Sequence, residues 1–88
     1  MIFKVMVSST FQKQFNSIPK GQKDRIRIGL KELENDPRSP RPKCDIKQLL
    51  DTDPPKYRLR IGDQRIIYSI DKDNVKVIEI FHRGKGYP

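Results

Sequence analysis

"KYRLRIGDQRIIYSI", residues 56–70, alternates apolar and basic side chains around a central Gly62-Asp63 pair. Such alternation marks strands with one buried face, and glycine at the leading position suits a two-residue type II′ turn. With that turn, Ile61 pairs with Gln64, Arg60 with Arg65, Leu59 with Ile66 and Arg58 with Ile67. Tyr57, Leu59, Ile61, Ile66, Tyr68 and Ile70 then share one face, which needs a cover. Arg58, Arg60 and Arg65 share the other, and two of them stand directly opposed. Like charges opposite one another across strands destabilise a sheet. The clustering therefore calls for an explanation beyond folding.

Outward from this hairpin, "DKDN" (71–74) is a turn tetrad leading to a third strand-like run at 75–82. That run is ambiguous. Val75, Val77 and Phe81 fall on one side and Ile78 and Ile80 on the other, so both faces look apolar. Upstream, "CDIKQLL" (44–50) reads either as a brief strand or as a loop that packs Ile46, Leu49 and Leu50. It lies between two breaks, "DPRSPRPK" (36–43) with its three prolines and "DTDPP" (51–55).

At the N-terminal end, "IFKVMV" (2–7) favours a strand. Ser8, Ser9 or Thr10 can cap a following helix whose Phe11, Phe15 and Ile18 lie at i, i+4 and i+7. A second helix begins near Pro19, carries Ile26, Leu30 and Leu33 on one stripe, and ends at "NDP" (35–37). The predicted fold is α+β, in the order β-α-α-β-β-β. It is a small twisted sheet, mainly antiparallel, with an N-terminal strand and a two-helix hairpin packed on the face away from the arginines.

The 88 residues suit a single domain, 1–88. Nineteen Lys and Arg against eleven Asp and Glu give a formal charge of +8, which favours an anionic partner. A lone Cys44 excludes an internal disulfide framework and agrees with a reducing compartment. No apolar run approaches the ~20 residues that cross a bilayer, and "MIFKVMV" does not read as a signal peptide. The expectation is a soluble cytoplasmic protein.

Arginine carries five donors in a planar fork and stays charged at physiological pH, which matches phosphate oxygens. The bland alternative is a solvated face whose charges pair with carboxylates elsewhere. Near these arginines in sequence, however, the only acid is Asp63. The chain end, "IFHRGKGYP", adds His82, Arg83, Lys85 and Tyr87 just after the last strand. The bland readings there are a half-buried histidine and a frayed terminal tyrosine.

Taken together, "KYRLRIGDQRIIYSID…VKVIEIFHRGKGY" and the upstream helical hairpin with "NDP" resemble the RelE/ParE toxin superfamily of toxin–antitoxin systems. The most specific part is "YRLRIGDxRIIY", followed by a strand ending in "HR" and a late tyrosine. The resemblance implies a ribosome-dependent mRNA endoribonuclease that cuts the A-site codon through the RNA's own 2′-hydroxyl, with no metal and no small-molecule cofactor. It implies as partners the ribosome, mRNA and a cognate RelB-like antitoxin, and no membrane.

The family's site residues fall here on Arg58, Arg60, Arg65, Arg83 and Tyr87. In this reading Arg65 and Arg83 stabilise the phosphorane. Arg58 and Arg60, with Lys85, hold flanking RNA, and relatives often carry lysine where Arg58 and Arg60 stand. Tyr87 stacks on a base or takes the 2′-hydroxyl proton. His82 is a secondary candidate for protonating the leaving 5′-oxygen. Basic residues of the second helix (Lys20, Lys23, Arg25, Arg27, Lys31) and of the loop after it (Arg38, Arg41, Lys43) are either ribosome contacts or merely solubilising. A ParE-type inhibitor of DNA gyrase, or a catalytically weak RNA-binding member, are the alternative functions.

Overall fold

The computed structural model describes residues 2–42, 44–49 and 52–82. Strand β1 (Lys4–Val7) leads into helices α1 (Ser9–Asn16) and α2 (Lys20–Asn35). Then come β2 (Asp45–Gln48), β3 (Lys56–Ile61), β4 (Gln64–Asp71) and β5 (Asn74–His82). The strands form one sheet in the order β1-β5-β4-β3-β2, antiparallel except for the parallel β1–β5 pair. This is the α+β arrangement predicted from the sequence, with one addition. Residues 45–48, open between strand and loop, form β2 and pair with β3. Leu50 lies outside the described residues.

Local chemistry fixes the ends of the helices. Ser8 caps α1 by accepting the Phe11 N–H on its Oγ at 3.0 Å, and the same hydroxyl donates to the Ile78 carbonyl of β5. Gln14 accepts the Ile80 N–H at 2.8 Å. The two side chains thus satisfy β5 backbone groups where β1 no longer pairs, which blunts an exposed strand edge. At the C-terminus of α2 the Asp36 carboxylate accepts the N–H groups of Arg38 (2.9 Å) and Ser39 (3.1 Å). Those bonds, that of Arg38 first, hold the Asp36 carboxyl below its usual range. Arg41 donates Nη1 to the carbonyls of Asp36 and Ser39 and Nη2 to that of Glu32. A cation placed on carbonyls at a helix C-terminus is favoured by both hydrogen bonding and the helix dipole.

The core lies between the helices and one sheet face. Phe11, Ile26 and Leu33 meet Ile46, Leu59, Ile66, Tyr68, Val75, Val77 and Ile80 there. Helix α2 comes so close to β3 that a Cβ added at Gly29 would lie 2.4 Å from Ile61 Cδ1. The ambiguity of β5 resolves through a β-bulge. Ile67 pairs with Glu79 but Tyr68 pairs with Val77, so Ile78 is the extra residue. The bulge inverts the alternation, which lets Val75, Val77 and Ile80 all enter the core. Among the described residues no helix is long and apolar enough to cross a membrane.

Candidate nucleic-acid interface

The hairpin adopts the register read from its sequence: Ile61 opposite Gln64, Arg60 opposite Arg65, Leu59 opposite Ile66, Arg58 opposite Ile67. Gly62 has φ +57° while Asp63 stays out of the left-handed region, as a type II′ turn requires. With Leu59 and Ile66 in the core, Arg58, Arg60 and Arg65 are left on the face without helices. Tertiary pairing extends their rows. Asp45, Arg60, Arg65 and Phe81 lie side by side across β2, β3, β4 and β5. The next row is Lys47, Arg58, Ile67 and Glu79, and beyond it come Lys56, Ser69, Lys76 and Met6.

Six cations in these rows thus face two carboxylates. Arg60 is exposed and Arg65 half-buried, and among the described residues neither has an ion-pair partner. Arg58 differs. Its Nη2 lies 3.1 Å from Asp45 Oδ1, and its Nε is buried without a hydrogen-bond partner among the described residues. The scarcity of acids along the hairpin sequence therefore does not hold in space, because strand pairing imports Asp45 and Glu79. The apolar Ile46 between Asp45 and Lys47 was the local signal for β2, and it says nothing of which strand lies alongside.

The other expected site residues divide. His82 pairs with Gln64 on the helix side of the sheet, beside a groove also lined by Gln14, Ile18 and Gln22. Phe81, not His82, is the last β5 side chain described on the arginine face. Gln64 itself is buried and donates to Gln22 at 2.8 Å, fastening the start of β4 to α2. Arg83, Lys85 and Tyr87 lie outside the described residues, as does Lys43. On α2, Arg27 pairs with Asp24 at 3.1 Å, and both Arg27 and Lys23 lie over the Phe15 ring. Arg25 reaches the hairpin turn, its guanidinium 3.3 Å from where a Gly62 Cβ would stand. It lines, with Arg60 and the acidic Glu32 and Asp45, a groove of about 480 Å³ between α2 and β3. Among the described residues no cluster of three metal-ligating side chains occurs.

Comparison with known proteins agrees with this architecture. A family model described as the ParE toxin of the type II toxin–antitoxin system parDE matches residues 5–87. Toxin RelE3 of Methanocaldococcus jannaschii is 29% identical over 84 residues, which cover 96% of this chain and 94% of that protein. A chain of the archaeal RelE–RelB complex from Pyrococcus horikoshii OT3 superposes with a TM-score of 0.83 at 31% identity, covering 98% of this chain and all of that one. A chain of the RelB–RelE antitoxin–toxin complex from Methanococcus jannaschii gives 0.72 at 26% identity, with 88% of each chain covered. The protein folded around this arginine-bearing hairpin belongs to the ParE toxin family of type II toxin–antitoxin systems, within the RelE/ParE superfamily.

Proposed function

We propose that this toxin is a RelE-type endoribonuclease that cuts mRNA in the ribosomal A site without a metal. The observation that carries this reading is the convergence of Arg58, Arg60 and Arg65 from adjacent strands on a face the helices leave open. In the proposed reaction the 2′-hydroxyl oxygen attacks the adjacent phosphorus and the P–O5′ bond breaks. A 2′,3′-cyclic phosphate and a free 5′-hydroxyl result, one proton having moved from the attacking to the leaving oxygen. Charge builds on the non-bridging oxygens, where fixed cations contribute most.

Arg65 and Arg83 take that role, Arg58 and Arg60 hold the neighbouring phosphates with Lys85, and Tyr87 stacks on a base or accepts the 2′-hydroxyl proton. His82 ends β5 on the helix side, so its proton donation requires the scissile nucleotide to lie across the end of that strand. The basic residues of α2 add salt-dependent affinity for ribosomal RNA. A RelB-like antitoxin with an acidic or amphipathic segment is the proposed partner, in line with the RelE–RelB complexes of the two archaeal relatives.

The test is the purified protein in a translating extract. Messenger RNA should be truncated within codons, and Arg65→Ala should slow cleavage on the order of a hundredfold. Intact message at concentrations that arrest growth would remove the proposal. The ParE name of the matching family favours a second reading, inhibition of DNA gyrase. Loss of supercoiling activity that persists in Arg65→Ala would support it.

A further inference from the structure

The ion pair between β2 and β3 bears on how the arginine face meets RNA. Asp45 stands directly opposite Arg60, yet its Oδ1 takes Nη2 of Arg58, one row away, at 3.1 Å. The two partners are unequally placed. The Arg58 side chain is only 21% exposed, with Nε sealed from water and, among the described residues, unpartnered, whereas Asp45 is 56% exposed. A largely buried guanidinium needs an anion beside it, and the cost of leaving it alone is high. A half-exposed carboxylate that loses its partner simply regains water. Exchange of one anion for another at Arg58 is therefore easy, while removal of the anion is not.

We propose that Asp45 is a specificity-determining residue of this face: its carboxylate stands in for phosphate at Arg58 in the free protein, and RNA must displace it to engage that arginine. The proposal rests on the RNA-binding reading above. Asp45 then discriminates by competition. A phosphate that meets Arg58 alone gains little over the resident carboxylate. One that Arg60 and Arg65 also hold, from the adjoining row, gains enough to evict it. Stray single-stranded RNA is thereby disfavoured relative to RNA presented in a fixed path.

The experiment uses a mixed-sequence single-stranded RNA oligonucleotide and four full-length proteins: wild type, Asp45→Asn, Arg58→Ala and the double variant. Binding is followed by fluorescence anisotropy over a series of salt concentrations. Asp45→Asn should bind on the order of threefold to tenfold tighter at low salt, with a log–log salt slope steeper by about 0.7. In the Arg58→Ala background the same substitution should change neither quantity by that amount. An equal gain with and without Arg58 would make Asp45 only a background charge and overturn the proposal. So would an unchanged Asp45→Asn in a protein whose affinity drops on Arg58→Ala, and in that case RNA binding by the face would still stand. A wild type that does not bind, or one indifferent to Arg58→Ala, removes the RNA reading and the proposal together. Should Asp45→Asn not fold, Asp45→Ser carries the same comparison.

Discussion

At the scale of single residues, similar side chains are put to unlike uses. Arg41 and Arg60 carry the same guanidinium, yet Arg41 is tied to the backbone carbonyls of Glu32 and Asp36 at the end of α2 and of Ser39 beyond it. Arg60, on the open face, has no ion-pair partner among the described residues. Tyr68 shows the same division among aromatics. It is fully buried, stacked on Tyr57, and donates its hydroxyl to the Pro37 carbonyl at 2.7 Å. Burial, and secondarily the neighbouring Tyr57, push its pKa well above the ordinary 10.0. A raised folded-state value means that the unfolded chain releases this proton first. The contribution is thus intact below pH 10 and drains away as pH rises beyond it. Tyr68→Phe should cost about 1–3 kcal/mol at neutral pH, because the buried Pro37 carbonyl loses its partner. Urea unfolding followed from neutral pH to above 10 should show a shallower alkaline decline in the variant than in the wild type.

At the scale of elements, two turns and one bulge set which face each strand shows. The β3–β4 turn uses Gly62 at φ +57°, and the β4–β5 turn puts Lys72 at the same angle. A side chain in that region is strained by roughly 1–2 kcal/mol in L-residues, where glycine is not. Lys72→Gly should therefore raise stability by up to about 1 kcal/mol, and Gly62→Val should lower it, both read as midpoint shifts in denaturant. The bulge at Ile78 acts on function more directly. Without it Phe81 would exchange faces with His82. The hairpin register was legible because glycine and strict alternation fix it locally. The bulge was not, since an apolar run on both faces is compatible with several registers.

At the scale of the whole molecule, the sheet order β1-β5-β4-β3-β2 puts β4 at the centre, flanked by β5 and β3, and the short β1 and β2 at the edges. Strands β4 and β5 each pair on two sides and supply five of the seven strand residues in the buried core, Ile66, Tyr68, Val75, Val77 and Ile80. Backbone amides of β4 should exchange with deuterium most slowly, near the rate of global unfolding, and those of β2 much faster. Rapid exchange throughout β4 would contradict this account of where the stability lies. Frayed β2 would also release Asp45 from Arg58, so the edge strand links local stability to the charge of the arginine face.

The sequence by itself determined the two helices, the hairpin with its register, and the gathering of Arg58, Arg60 and Arg65 on one face. Those follow from periodicity and turn chemistry, which act between residues close along the chain. Only the tertiary structure decided that 45–48 lies against β3, that a bulge turns His82 to the helix side, and that Asp45 holds Arg58. Each of these depends on which distant strand lies alongside, a choice made by burial of the shared core and not by any local preference.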